Sequence, residues 1–117
     1  MSVVTDPGLA VQAKFFRGLA DPSRLALLLA LRPGEKTVTM LSSETGLGQS
    51  NVSSHLACLK DCGLVLSRQE WRHVYYRIAD SKILSLLDVA DEVVAENAQR
   101  IADCVNYGAN KARGERR

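Results

Sequence analysis

One short stretch, Gln49–Cys62 (QSNVSSHLACLKDC), limits what this chain can fold into more than any other. It has the pattern of a helix with three chemically different sides. At about 100° per residue, Val52, Leu56 and Leu59 share one narrow apolar stripe that needs a core to cover it. Ser50, Ser53, Ser54, Ala57 and Lys60 lie on the far side, small or hydrogen-bonding, with no acid among them. Such a surface can enter a DNA major groove, its hydroxyls reaching base edges or phosphates while Lys60 adds positive charge. Cys58 and Cys62 form the third side. Four residues apart on a helix, their Cβ atoms stand roughly 5–6 Å from each other. Two thiolates at that separation can share one metal ion, so the same helix combines a DNA-reading face with a soft-metal face.

The segments before it read as helices. Leu9, Ala10, Ala13, Phe16 and Ala20 recur at helical spacing, with Asp6 as cap and Pro7 at the first position, where a missing N–H costs nothing. Asp21-Pro22 opens a second helix, whose Leu25, Leu28, Leu29 and Leu31 make it apolar almost all round and predict burial, with Pro33-Gly34 as its stop. The loop GEKT leads to a third helix near Val38–Thr45, and Gly46 and Gly48 flank Leu47 in the turn before Gln49. Two short helices joined by a Gly-containing turn, the second polar on one side, make a helix-turn-helix.

After Gly63 the period changes to two. Leu64, Leu66, Val74, Tyr76 and Ile78 alternate with polar neighbours, which predicts a hairpin of strands at about 64–69 and 73–78 around a polar, turn-like RQEWRH. A hairpin directly after a reading helix is a wing, and Arg68, Arg72 and His73 are placed to touch phosphate or a minor groove. Trp71 reads as an anchor at the wing tip. The DNA-contacting set expected from the whole pattern is Gln49, Ser50, Asn51, Ser53, Ser54, His55, Lys60, Arg68, Arg72 and His73. Asp80 then caps a last helix, on which Ile83, Leu87, Ala90, Val94, Ala98 and Ile101 keep one apolar stripe over five turns that Cys104 continues. A stripe of this kind at the end of a small domain packs against a second copy or folds back on its own domain. The expected fold is mainly α with a small β-hairpin: a winged helix-turn-helix, homodimeric through its N- and C-terminal helices.

Length and charge fit that reading. The 117 residues suffice for one domain, expected to be ordered over about 8–108 and to end in a flexible basic tail over 109–117. The net charge of +2 says little, but its distribution says more. Residues 49–77 carry Lys60, Arg68, Arg72 and Arg77 against Asp61 and Glu70, whereas residues 80–108 carry six acids against Lys82 and Arg100. A mildly basic middle is consistent with a nucleic-acid surface. The start, MSVVTDPG, lacks the basic and apolar regions of a signal peptide, and no run of about 18 apolar residues exists to span a membrane. Three cysteines in that context are expected as thiols, ligands or redox sensors in a cytoplasmic protein.

The ADPSR…LL entry to the second helix, SNVSSHLACLKDCGLV, and the following RHVYYR wing resemble the ArsR/SmtB winged-helix metalloregulators over about residues 10–105. The resemblance implies a homodimer that binds double-stranded operator DNA without metal and releases it on binding metal. One metal site of that family uses a Cys-x-Cys on the third helix, where this chain has Thr37-Val38-Thr39-Met40. Another opens the last helix with Asp-x-His, where Asp80 is followed here by Ser81-Lys82, and Val93 stands where a histidine is expected. What remains is similar to the actinobacterial cadmium- and lead-sensing branch, whose three-thiolate pattern falls on Cys58, Cys62 and Cys104.

Three thiolates suit Cd(II) or Pb(II), and also Zn(II), Hg(II) or As(III), while calcium and magnesium want oxygen. The competing readings are that Cys58 and Cys62 are small buried residues, or that they sense oxidants as a thiol switch. His55, three residues from Cys58, fits packing or DNA contact better than ligation, and Asp88, Asp91 and Glu92 fit a solvated face. No phosphate loop, nucleophile elbow or paired acid in an apolar setting appears, so neither an enzyme nor a small organic substrate is expected.

Overall fold

The computed structural model describes residues 5–104, so the expected basic tail over 109–117 lies outside the described residues. The chain divides into two compact units, 1–84 and 85–117, taken separately below.

The first unit runs α1 (Pro7–Leu19), α2 (Pro22–Ala30), α3 (Val38–Thr45), α4 (Gln49–Asp61), β1 (Val65–Glu70), β2 (His73–Ile78) and the first turn of α5 (Ser81–Asp103). The helix boundaries follow the capping chemistry. Asp6 accepts a hydrogen bond from the Gly8 amide, Asp21 from the Arg24 amide and Thr37 from the Met40 amide, each satisfying one orphan donor of a first turn. α3 ends on Gly46 at φ +80°, a left-handed cap that costs a glycine nothing. The turn into α4 is held by side chains: Ser42 Oγ donates to the Leu47 carbonyl, and the Leu47 amide donates to Thr45 Oγ1. Cys62 caps α4, its amide donating to the Cys58 carbonyl, and Gly63 turns the chain at φ +78°.

Leu27, Leu28 and Leu31 of α2 and its cap, Leu41 of α3, Val52, Leu56 and Leu59 of α4, and Leu64 and Val65 at the wing root are all buried. Burying each such side chain contributes roughly 1.5–3 kcal/mol relative to exposure. The α4 stripe expected from periodicity is therefore the one that enters the core. α2 is less buried than its composition predicts: Leu29 is 38% exposed, because a nine-residue helix turns only part of its circumference inward. α1 contributes no buried residue, and its Val11 and Phe16 stand 69% and 50% exposed.

The strands pair antiparallel with Val65 opposite Ile78 and Glu70 opposite His73, leaving Trp71 and Arg72 as a two-residue turn. The first strand, expected at about 64–69, runs one residue further, to Glu70, so the turn-like RQEWRH narrows to Trp71 and Arg72. The GEKT segment also differs from a plain loop. Lys36 exchanges both backbone hydrogen bonds with Tyr76, at 3.0 and 2.9 Å, adding a one-residue bridge on the open side of β2 and tying the start of α3 to the wing.

The second unit holds the rest of α5, which is not one continuous helix. Asn97 leaves helical geometry (φ −126°, ψ 16°), and its side-chain amide donates to the Val93 carbonyl at 3.0 Å. An Asn side chain competes with the backbone for just such carbonyls. The apolar stripe expected to run straight to Cys104 is therefore interrupted, and Cys104 follows the helix end, its amide donating to the Ile101 carbonyl. Val89, Val93 and Val94 are half-exposed.

Candidate nucleic-acid interface and thiol pair

α4 presents Gln49, Ser50, Asn51, Ser53, Ser54 and Lys60 at the surface while its opposite stripe is buried. Lys60 does not hang free: Nζ donates to Ser67 Oγ at 2.8 Å and links α4 to β1. His55 is half-buried, with Nδ1 3.9 Å from an Asp21 carboxylate oxygen. Helical spacing puts Asn51, His55, Cys58 and Cys62 on one side and the serines on another, so His55 stands apart from the serine face.

Each wing residue has company. The Arg68 guanidinium makes two parallel bonds to Glu35, at 2.7 and 2.8 Å, a third to Glu70 at 2.8 Å, and lies 4.8 Å from the centre of the Tyr75 ring. The hydrogen bond from Arg68 holds the Glu35 carboxyl below its ordinary range. Arg68 is thus a clamp between the segment before α3 and the wing, and would have to leave both acids to reach a phosphate. His73 stacks obliquely on Tyr75, with ring centres 6.2 Å apart, and Arg72 lies 5.7 Å from the centre of the Trp71 ring.

Cys58 and Cys62 are both exposed thiols, so they are not small residues filling a core. They open onto a cleft of about 300 Å³ walled by Val11, Phe15, Leu59 and Leu64, with Lys14 and Arg24 beside them. Arg24 is the residue that sequence reasoning missed. Its Nη1 lies 3.9 Å from Cys58 Sγ, and its Nε donates to the Gly18 carbonyl at 2.9 Å. The contact places a cationic side chain directly beside one of the two sulfurs. The available signal was the DPSR motif, whose aspartate caps α2 through the arginine's own amide and so fixes where that side chain starts. Among the described residues of one chain, no three His, Cys, Asp or Glu side chains gather as a metal site.

Residues 21–67, from the cap of α2 into β1, match the bacterial regulatory protein, arsR family. The chain is 39% identical over 92 residues to the probable mercury resistance operon repressor of Streptomyces lividans, spanning 79% of this chain and 74% of that protein. It is 44% identical over 82 residues to the HTH-type transcriptional regulator CmtR of Mycobacterium tuberculosis, spanning 70% of each. Its fold is similar to the solution structure of the homodimeric winged helix-turn-helix DNA-binding domain Mb0332 of Mycobacterium bovis, a possible ArsR-family regulator. That likeness has a TM-score of 0.67 at 33% identity and covers 83% of this chain and 92% of that one. With a winged helix-turn-helix and relatives that are transcriptional regulators rather than enzymes, the chain belongs to the arsR family of bacterial regulatory proteins.

Proposed function

We propose that this protein is a metal-responsive transcriptional repressor that binds operator DNA as an apo homodimer. A soft cation, Cd(II) or Pb(II), held by the thiolates of Cys58, Cys62 and Cys104, releases it. The observation that carries this reading is the exposed Cys58–Cys62 pair on the same helix as the exposed serine face. Two thiols one turn apart, with a guanidinium beside one, fit a soft cation and not a hard one. Cys104 follows the end of the last helix, and it is assigned to the site of the partner subunit because a terminal helix that dimerises can lie against the partner's reading helix. The exposed apolar side chains of α1 and α5 support dimerisation.

In this reading the serine face of α4 enters the major groove, with Gln49, Ser50, Ser53 and Ser54 reaching bases and phosphates and the exposed Asn51 reaching them from the neighbouring side of the first turn. Lys60, Arg72 and His73 supply phosphate contacts, and Arg68 and His55 act mainly by bracing the wing and α4. Two such helices in a dimer address half-sites about 34–36 Å apart. Metal taken across the subunits fixes the two α4 helices in a spacing that mismatches successive grooves. Release then requires that metal bind the DNA-free form more tightly, and operator DNA must weaken metal by the same factor, a coupling of about 1–3 kcal/mol.

The test is fluorescence anisotropy of a labelled duplex from the region upstream of the protein's own gene, with reduced protein, titrated with Cd(II), Pb(II) and Hg(II). Loss of the complex at about one metal per thiol site is expected. Tight binding that ignores all three ions would overturn the metal reading and leave the DNA reading standing. The similarity to a mercury resistance operon repressor favours Hg(II) as the second candidate effector. A complex that peroxide dissolves and a reductant restores, with no response to metal, would favour a thiol switch instead.

A further inference from the structure

We infer that Trp71, at the tip of the wing, is a DNA-contacting wedge that enters the minor groove beside the major groove read by α4. The inference rests on the DNA-binding reading above and adds a contact residue to it.

The backbone carries the first part of the argument. Trp71 is the first of the two turn residues between β1 and β2, and it has φ +62° while Arg72 does not share a positive φ. That is the φ pattern of a type II′ hairpin turn, whose first central position favours glycine because a Cβ is strained there. A large aromatic is thus held where a glycine would relax the chain. Such a strained residue points towards a role for its side chain rather than its backbone.

The side chain carries the second part. Trp71 is 86% exposed, the most exposed of the large apolar side chains described. Among the described residues nothing covers its apolar area, and its contacts are those of a tip: the Arg72 guanidinium 5.7 Å from the ring centre, and Gln69 Nε2 donating to its carbonyl at 3.3 Å. An aromatic paired with an arginine at the end of a narrow hairpin matches how proteins read a minor groove, where apolar wedges press on base steps and arginine answers the negative potential.

The mounting carries the third part. The wing is braced at both edges: Lys60 of α4 donates to Ser67 of β1, and Lys36 pairs with Tyr76 of β2. Four residues separate Ser67 from Trp71, a reach of about 13 Å along a strand before the indole's own length is added. A half-turn of B-DNA is about 17 Å, half the helical repeat. A wing tied to a helix in the major groove is therefore long enough to bring its tip to the flanking minor groove.

Trp71 is the chain's single tryptophan, so its emission reports on this position alone. The full-length reduced protein would be mixed with a labelled duplex of about three helical turns from upstream of its gene, with complex formation followed by anisotropy. In the complex, Trp71 emission should shift and its quenching by acrylamide should fall by about half or more as the ring leaves water. Trp71→Gly should melt no lower than wild type, since it relaxes the turn, yet bind the duplex at least about five-fold more weakly, with Trp71→Phe in between. Unchanged emission and quenching in a complex that anisotropy shows to have formed would overturn the proposal, as would a Trp71→Gly affinity equal to wild type. An emission change on raising protein concentration without DNA would assign the ring to a protein contact and overturn it too. If no complex forms with the duplex, the DNA-binding reading itself fails and the wedge fails with it.

Discussion

Arg24 Nη1 lies 3.9 Å from Cys58 Sγ, joining the first turn of α2 to the thiol side of α4 while Nε of the same guanidinium ties back to Gly18 of α1. One side chain therefore connects three helices at the exposed thiol pair. Replacing it should affect one cysteine more than the other. In Arg24→Met, the rate of Cys58 alkylation by iodoacetamide should change relative to that of Cys62 in the same protein, because only Cys58 loses a side chain 3.9 Å from its sulfur. The lost bond to Gly18 should lower stability by about 1 kcal/mol in urea unfolding. An equal change at both cysteines would mean that the guanidinium does not act locally.

Asp21 has two tasks, accepting from the Arg24 amide at 3.0 Å and standing 3.9 Å from His55 Nδ1. Asp21→Ala should cost about 1 kcal/mol from the lost cap, read by thermal or urea unfolding. His55→Ala should weaken binding of the upstream duplex less than Ser54→Ala, since Ser54 is on the exposed face and His55 is turned towards α2. A larger loss of affinity from His55→Ala than from Ser54→Ala would return His55 to the DNA-contacting set.

Much of this arrangement could be read from the residues, and the failures share a cause. Asp6-Pro7, Asp21-Pro22, Gly46 and Gly63 mark helix ends because capping and left-handed turns are local chemistry, and the Val52, Leu56, Leu59 stripe is local periodicity. The Lys36–Tyr76 bridge joins residues 40 apart and leaves no pattern in either segment. The Asn97 kink sits within an apolar stripe whose spacing runs through it unchanged, so periodicity reads a straight helix. The thiol pair was legible because four residues on a helix fix a separation. The Arg24 contact and the turning of His55 towards Asp21 were not, because each depends on how α2 packs on α4.

Two oxygens of Glu35 accept from the Arg68 guanidinium, and that pairing holds the carboxyl below its ordinary value of 4.5. A carboxyl depressed in the folded state contributes stability that is fully present above the unfolded value and is lost as pH falls through the folded one. The wing clamp should therefore stay closed at neutral pH and open only below pH 4.5. Carboxyl-carbon NMR should find Glu35 titrating below ordinary surface glutamates, and Arg68→Gln should return it towards them. A Glu35 midpoint at or above 4.5 would show that the clamp does not form in solution.

The assignment of Cys104 to the partner's site can be tested without a metal-bound structure. Each single variant, Cys58→Ser, Cys62→Ser or Cys104→Ser, should bind the upstream duplex within about two-fold of wild type, since none of the three side chains is placed on the serine face. Each should also lose most of the Cd(II)-driven release, an effect of about 5–150-fold in affinity for couplings of the usual size. Mixing then separates the geometries. If Cys104 serves its own chain's thiol pair, a heterodimer of one Cys62→Ser chain and one Cys104→Ser chain has no intact site. If it serves the partner's, the same heterodimer has one site with all three thiolates, because the Cys62→Ser chain supplies Cys104 to the unaltered pair opposite. Subunit exchange between the two variants, followed by Cd(II) titration of the DNA complex, should restore part of the release that neither homodimer shows. The ultraviolet absorption of Cd–thiolate bonds, measured without DNA, should return at about one ion per heterodimer. Absence of both signals in a verified heterodimer would place Cys104 in its own chain's site or outside the site altogether. Wild-type release by Cys104→Ser alone would reduce the metal site to the pair on α4.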